Sequence, residues 1–318
     1  MTVEARAIDL GSVTLHVVEA GEGPLVLLVH GWPECHRSWR HQIAALAEAG
    51  YRVVAPDLRG FGQSSCPEAI EDYTQLHMVG DMVALVAALG EERAVIVGHD
   101  WGAPIAWNSA LLRPDIFHAV AGLSVPYSPR NRGPTTQVMR EMGMENYYMM
   151  YFQQVGPPEA ELERDIAASL RRILWSASGE MPPDHAAIPN VEAGGFLARL
   201  PDPPGLPSFV SDEDFAVLTE SFKRTGFRPG LNLYRNLDRN WALLAPWHQA
   251  PIRSPSLFIA GTRDLTIRNP AGKNSLARLR DALPGLRGLH LIEGAGHWIQ
   301  QERPREVNEA LLTFLDGL

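Results

Sequence analysis

Short apolar runs and longer amphipathic stretches alternate along the first 125 residues of the chain. Aliphatic and β-branched runs of this kind are typical of strands buried on both faces of a parallel sheet. Such strands are predicted at four places: 24–29, 51–55, 94–97 and 119–125. Helices are predicted at 38–49 and 74–89, and an N-terminal hairpin at 6–9 with 13–19. The alternation predicts an α/β fold with a mostly parallel sheet flanked by helices.

The strand pattern stops after residue 126. Helical spacing then predicts four helices: 135–154, 158–176, 212–224 and 231–244. Ser211 and Asp214 resemble a capping box that opens the third of them. The stretch 178–210 is rich in Pro and Gly and predicts a long irregular loop, which at this length is usually functional.

The α/β pattern returns near the C-terminus, with strands at 256–261 and 288–292 and a last helix at 305–315. A helical insertion therefore splits one α/β domain, and we interpret the insertion as a lid, or cap. The predicted division is 1–128 for the first part of the core, 129–245 for the lid and 246–318 for the second part of the core.

Composition narrows the function classes. The net charge of −9 gives no electrostatic footprint for nucleic acid or for an anionic membrane. No signal-peptide pattern opens the chain, and its apolar runs are far shorter than a membrane span. Two cysteines, Cys35 and Cys66, cannot make a disulfide framework, so a reduced, cytoplasmic setting is expected. Composition leaves a monomer and a homodimer both open.

The stretch 94–107 has the layout of a nucleophile elbow, a sharp turn from a buried strand into a helix. Gly98 and Gly102 flank Asp100, which stands where serine hydrolases of this layout place their serine. A carboxylate at the head of a helix is favoured by the helix dipole and needs no base to become nucleophilic. The alternative is that Asp100 merely caps the helix, which is common.

Two further residues follow predicted strands in the order that α/β-hydrolases use for their catalytic triads. Asp264 comes just after the strand at 256–261, and His297 just after the strand at 288–292. Together with Asp100 they suggest a nucleophile, an orienting acid and a base. The remaining histidines show no zinc-ligand spacing, so no metal and no cofactor is predicted.

Along essentially its whole length the chain resembles the α/β-hydrolase-fold epoxide hydrolases of the soluble type. His30-Gly31-Trp32-Pro33 is similar to that family's HGxP loop, in which the bond before proline is typically cis. Gly98-His99-Asp100-Trp101-Gly102 matches the family's nucleophile motif. The resemblance implies an oxyanion hole formed by the backbone N–H groups of Trp32 and Trp101.

The resemblance also implies two tyrosines that act as acids in the lid. Tyr148, in YMMYFQ, and Tyr234, in LYRN, match those segments. Without the resemblance, the sequence pattern favours an aromatic core stripe on a helix for Tyr147, Tyr148 and Tyr151. The expected substrates are a small hydrophobic epoxide and water, without a cofactor. Six residues are expected to line the pocket: Trp32, Pro33, Trp101, Asn146, Met149 and Trp298.

Three alternatives share the fold. A haloalkane dehalogenase also carries an Asp nucleophile followed by tryptophan, but it usually places Asn or another halide binder in the HGxP loop, where this chain has Trp32. A fluoroacetate dehalogenase usually has Arg at the position of Trp101. A ligand-binding relative that has lost catalysis would not be expected to keep Asp100, Asp264 and His297 together. The loop 178–210 is expected to shape the pocket, but the sequence does not specify which epoxide fits.

Overall fold

The computed structural model describes residues 2–182, 191 and 194–318. The strands among these residues form one eight-stranded sheet. The strand order is β1-β2-β4-β3-β5-β6-β7-β8. The strands are β1 Val3–Asp9, β2 Thr14–Ala20, β3 Leu25–Val29, β4 Arg52–Pro56, β5 Ala94–His99, β6 Phe117–Leu123, β7 Ser256–Gly261 and β8 Leu286–Ile292. β2 pairs antiparallel with β1 and β4, whereas the pairs from β4 through β8 are parallel. The mostly parallel sheet and the N-terminal hairpin are confirmed.

Both faces of the sheet are covered, and the side chains of β3 show this directly. Leu25, Leu27 and Val29 belong to one buried cluster, whereas Val26 and Leu28 belong to a second cluster on the opposite face. The helices of the core are α1 Arg40–Glu48, α2 Gln75–Ala88, α3 Gly102–Leu112, α11 Leu265–Arg268, α12 Pro270–Ala277, α13 Leu279–Ala282, α14 Ile299–Glu302 and α15 Pro304–Asp316. The helices α11 to α14 were not predicted.

Short helices fill the segment between β6 and β7. They are α4 Thr135–Glu141, α5 Tyr148–Tyr151, α6 Pro157–Leu162, α7 Ile166–Ser176, α8 Asp212–Thr225, α9 Arg228–Arg235 and α10 Leu237–Leu243. An inserted helical cap is therefore part of the fold, as expected. The domain boundaries at 128/129 and 245/246 stay predictions.

Three of the predicted cap helices are wrong as continuous helices. The helix predicted at 135–154 breaks at Gly143, which has a φ of 68°. The helix at 158–176 breaks before Asp165, whose side chain caps α7 by accepting the N–H of Ala168 at 2.9 Å. The helix at 231–244 breaks at Asn236, whose amide donates to the carbonyl of Ile70 at 2.6 Å. Local caps and one long-range hydrogen bond thus override helical spacing.

The cap of α8 is confirmed in part. Ser211 Oγ accepts the N–H of Asp214 at 3.1 Å, as a helix cap does. The carboxylate of Asp214 does not complete the capping box, because it accepts the Ser211 hydroxyl and the Arg37 guanidinium instead. Part of the predicted loop 178–210 (residues 183–190 and 192–193) lies outside the described residues. In the part of the chain that the structure describes, no helix is long and apolar enough to cross a membrane.

A buried ion pair fixes the glycine-rich turn at 57–62. Arg59 in this turn donates two hydrogen bonds of 2.6 Å to the carboxylate of Asp81 on α2, and both side chains are 4% exposed. The same guanidinium donates to the carbonyl of Asp72 at 2.7 Å. Bidentate pairing of this kind fixes orientation as well as distance.

We expect Asp81→Ala to lower the free energy of unfolding by about 3–5 kcal/mol, because it leaves the Arg59 guanidinium buried and unpaired. Urea denaturation measures the change. The control is Glu220→Ala, which removes the partner of Lys223 in an exposed pair and should cost about 0–1 kcal/mol. Equal effects of the two substitutions would contradict a structural role for the Arg59–Asp81 pair.

Candidate active site

Asp100 stands at the turn between β5 and α3. Its φ is 50°, which is uncommon for a residue other than glycine. A Cβ atom at Gly102 would lie 2.0 Å from the carbonyl oxygen of Val29, so the turn packs too closely for a larger residue there. The first residue before the helix is Trp101, and no side chain caps α3. Asp100 is therefore not a helix cap, and its carboxylate points to other partners.

Each oxygen of the Asp100 carboxylate has its own partner. Oδ1 accepts the backbone N–H of Trp32 at 2.7 Å, and Oδ2 lies 3.2 Å from Nε2 of His297. A Cβ atom at Gly31 would lie 2.4 Å from the Cβ of Asp100, so glycine permits this close approach. The Trp32–Pro33 peptide bond is cis, as the resemblance implies.

His297 lies between two carboxylates. Its Nδ1 is 3.1 Å from both oxygens of Asp264, which is fully buried and also accepts the N–H of Thr266 at 2.8 Å. Burial alone would raise the pKa of Asp264, but the charge and hydrogen bonds of His297 hold it below its ordinary value. Burial opposes a charged imidazole, yet Asp264 and Asp100 together hold the pKa of His297 well above its ordinary value.

Tyr148 and Tyr234 lie above the Asp100 turn. Their ring centroids are 5.9 Å apart, and the ring of Tyr234 packs edge-on against Trp101 at 4.9 Å. Burial raises the pKa of both hydroxyls well above the ordinary value. The charge of Asp100 raises both pKa values further. For Tyr234 it is the largest contribution after burial, and for Tyr148 it is smaller than the contributions of the neighbouring tyrosines. Both side chains therefore keep their protons at neutral pH.

The neighbouring tyrosines have different surroundings. Burial raises the pKa of Tyr147 to about 12, and Asp100 does not contribute to that increase. Tyr151 lines a separate surface depression, and its pKa of about 12 reflects burial together with the nearby Glu161 and Glu159. Among Tyr147, Tyr148 and Tyr151, Tyr148 is thus the one whose pKa the Asp100 carboxylate raises.

A cavity of about 780 Å³ joins these groups. Trp32, Trp101, Met149 and Trp298 line it as expected, together with the three charged residues and both tyrosines. Pro33 and Asn146 do not line this cavity, and their place in the substrate pocket stays a prediction. Pro33 is buried. Asn146 is exposed, lines the separate depression, and accepts the N–H of Val191 on its carbonyl at 2.6 Å.

Glu34, a buried acid that was not predicted from the sequence, lies beside the site. Oε2 of Glu34 accepts the N–H of Gly31 at 3.0 Å and contacts Nδ1 of His99 at 2.8 Å. Nε2 of His99 lies 2.8 Å from the backbone carbonyl of His297. Burial would raise the pKa of Glu34, but His99 and these hydrogen bonds hold it below its ordinary value. The only sequence signal was an acid directly after the HGWP motif.

A second missed acid, Glu302, holds the loop that carries His297. Its carboxylate accepts three backbone N–H groups, those of Gly179, Gly296 and Trp298, at 2.9 to 3.1 Å. Two of these donors flank His297 in the chain, and the third lies just after α7. One carboxylate thus ties the histidine loop to the cap segment.

Comparison with known proteins agrees with this geometry. The family model for the alpha/beta hydrolase fold matches residues 24–304. Epoxide hydrolase A of Mycobacterium tuberculosis is 49% identical over 98% of this chain and 97% of its own length, and an epoxide hydrolase of Caballeronia sordidicola is 42% identical over 98% and 94%. The solved structure of an epoxide hydrolase from an endophytic Streptomyces is 48% identical, with a TM-score of 0.95 over 99% of this chain and 96% of that one. The chain belongs to the epoxide hydrolases of the α/β-hydrolase fold.

Proposed function

We propose that the protein converts an epoxide to a vicinal diol through a covalent ester on Asp100. The observation that carries this proposal is the pairing of a carboxylate with two protonated hydroxyls across one cavity. Oδ1 of Asp100 is held by the N–H of Trp32, while Tyr148 and Tyr234 lie opposite. A nucleophile and matched proton donors are what epoxide opening needs.

In the first step, Oδ2 of Asp100 attacks an epoxide carbon from the side opposite the C–O bond. A new C–O bond to Asp100 forms as the ring C–O bond breaks, and the ring oxygen leaves with the bonding electrons. An alkoxide is a poor leaving group, so a proton from Tyr148 or Tyr234 must reach it as the ring opens. Bulk water restores that proton afterwards.

In the second step, His297 takes a proton from a water molecule that attacks the carboxyl carbon of the ester. Asp264 fixes the imidazole by its bonds to Nδ1 and stabilises the positive charge. The oxyanion forms at Oδ1, where the N–H of Trp32 already donates. We assign the second donor to the N–H of Trp101. When the intermediate collapses, the bond between the carboxyl carbon and the diol oxygen breaks, and that oxygen takes the proton from the His297 imidazolium. The Asp100 carboxyl group then returns a proton to His297, which restores the carboxylate.

The surroundings of the tyrosines favour this reaction over haloalkane dehalogenation. A halide leaves without a proton, so a dehalogenase needs halide-binding N–H groups and has no use for acids. Here two hydroxyls with raised pKa values face Asp100, and the pKa of each is raised further by that carboxylate. Conversion of a panel of aryl, alkyl and fatty-acid epoxides, with haloalkanes alongside, tests the choice. Diol formation supports the proposal, and halide release without diol would contradict it.

The finer assignments complete the proposal. We assign the cap to residues 129–245 and the core to 1–128 and 246–318. A small hydrophobic epoxide suits a cavity with Trp32, Trp101, Met149 and Trp298 on its wall. A cytoplasmic setting fits two free cysteines. A monomer or a homodimer both fit the proposal, and the site as proposed needs one chain only.

We expect Tyr234→Phe and Tyr148→Phe each to slow alkylation of the enzyme by about 10²-fold or more, because each removes a proton donor. Stopped-flow measurement of tryptophan fluorescence reports this step. Tyr147→Phe and Tyr151→Phe are the matched controls and should stay near wild type. A near-normal Tyr148→Phe beside an inactive Tyr147→Phe would move the role to Tyr147, and four active variants would exclude acid catalysis by tyrosine.

We expect His297→Gln to accumulate the ester, because His297 is needed to hydrolyse the ester and not to form it. After mixing with a reactive epoxide, intact-mass analysis should show a protein heavier by one substrate molecule. Peptide mapping should place the added mass on Asp100, and Asp100→Ala should show none. In wild type, one turnover in heavy-oxygen water should label Asp100 and not the diol. Label in the first diol would mean that water attacks the epoxide directly.

We expect the pKa of His297 to fall when Asp100 loses its charge, because the Asp100 carboxylate helps to raise it. Nitrogen-15 NMR of labelled histidine in Asp100→Ala and in wild type measures the shift. The direction matters, since a raised pKa keeps the imidazole protonated until the ester forms. An unchanged pKa would mean that Asp264 alone sets the charge of His297.

A further inference from the structure

We propose that His16, His36 and Asp57 form a binding site for a divalent metal ion of the zinc class. This cluster lies outside the catalytic residues. The three residues come from different parts of the chain: His16 from β2, His36 from the start of a short 3-10 helix after the HGWP loop, and Asp57 from the position directly after β4. Their ligand atoms all lie within 4.8 Å of one another.

The donor set suits a borderline transition metal. Two imidazole nitrogens and a carboxylate are ligands that Zn²⁺ accepts, and three protein ligands with an open position form a common arrangement. Nδ1 of His16 lies 2.9 Å from one oxygen of Asp57, and Nδ1 of His36 lies 2.9 Å from the other. Ligands around a tetrahedral zinc ion lie about 3.4 Å apart. Binding one ion requires the two imidazoles to rotate until the three ligand atoms, now within 4.8 Å of one another, have this spacing.

The carboxylate does not depend on the imidazoles for its hydrogen bonds. Asp57 also accepts the backbone N–H of His36 at 2.9 Å and that of Gln63 at 3.2 Å. These two donors remain when both Nδ1 atoms turn to a metal. Such backbone bonds would also orient the ligating carboxylate, as second-shell donors do in metal sites.

The tautomers of the two histidines and the exposure of their side chains also permit the metal ion to bind. Among the described residues, the hydrogen bonds of the His16 and His36 rings are made by Nδ1. The tautomer of each imidazole that carries its proton on Nε2 leaves Nδ1 free for the metal. The side chains of His16 and His36 are 11% and 18% exposed, whereas that of Asp57 is fully buried. The ion would reach the carboxylate past the two histidines.

The test is a calorimetric titration of chelator-treated, tag-free protein with Zn²⁺. We expect one tight equivalent in wild type, weakened tenfold or more in His36→Asn and in His16→Asn. His290→Asn, which removes an exposed histidine on β8, is the matched control and should bind as wild type does. Circular dichroism of each metal-free variant establishes that it is folded, and His36→Asn is the milder change because that side chain is partly exposed.

Cobalt gives a second readout that reports the ligands themselves. Co²⁺-loaded wild type should show the visible absorption of a four- or five-coordinate ion, and His36→Asn should lose it. His297→Gln distinguishes this site from capture of metal by the catalytic histidine and should bind one equivalent unchanged. The proposal is overturned if folded His36→Asn binds zinc as tightly as wild type, or if the tight equivalent disappears in His297→Gln.

Discussion

The position of one imidazole between two carboxylates governs the proposed chemistry. His297 contacts Asp264 through Nδ1 and Asp100 through Nε2, so both charges act on one ring. Before reaction they favour the protonated imidazole, which cannot act as a base. Ester formation on Asp100 removes one of the two negative charges and thereby lowers the proton affinity of His297. The first step of the proposed reaction thus prepares the base that the second step needs.

The imidazole of His297 lies on a loop, so contacts other than regular secondary structure must hold it in place. Backbone hydrogen bonds to buried side chains do this, since the carbonyl of His297 meets both His99 and the Ser124 hydroxyl. Glu302 fixes the N–H groups on either side of the histidine. Glu34 links His99 to the loop that carries the N–H of Trp32. Asp100, His297 and the N–H of Trp32 are therefore parts of one hydrogen-bonded network.

The sequence predicts the sheet and the three charged residues because both follow from local pattern. Strands buried on two faces are continuous apolar runs, and Asp100, Asp264 and His297 each follow such a run closely. The supporting acids were missed because their partners are distant in the chain: Glu302 binds the N–H of Gly179, 123 residues away. The break at Asn236 likewise depends on a carbonyl 166 residues away. Periodicity carries no information about contacts of that range.

The cap and the core contribute different side chains to the site. Tyr148 and Tyr234 lie on α5 and α9, and the side chain of Gln153 joins these segments by donating to the carbonyls of Met149 and Tyr234. The cap thus presents the two tyrosines as a pair, and the core holds the Asp100 carboxylate. Burial keeps the hydroxyls protonated, while the Asp100 carboxylate accepts the N–H of Trp32. One cavity therefore holds protonated hydroxyls and a carboxylate, each with its own surroundings.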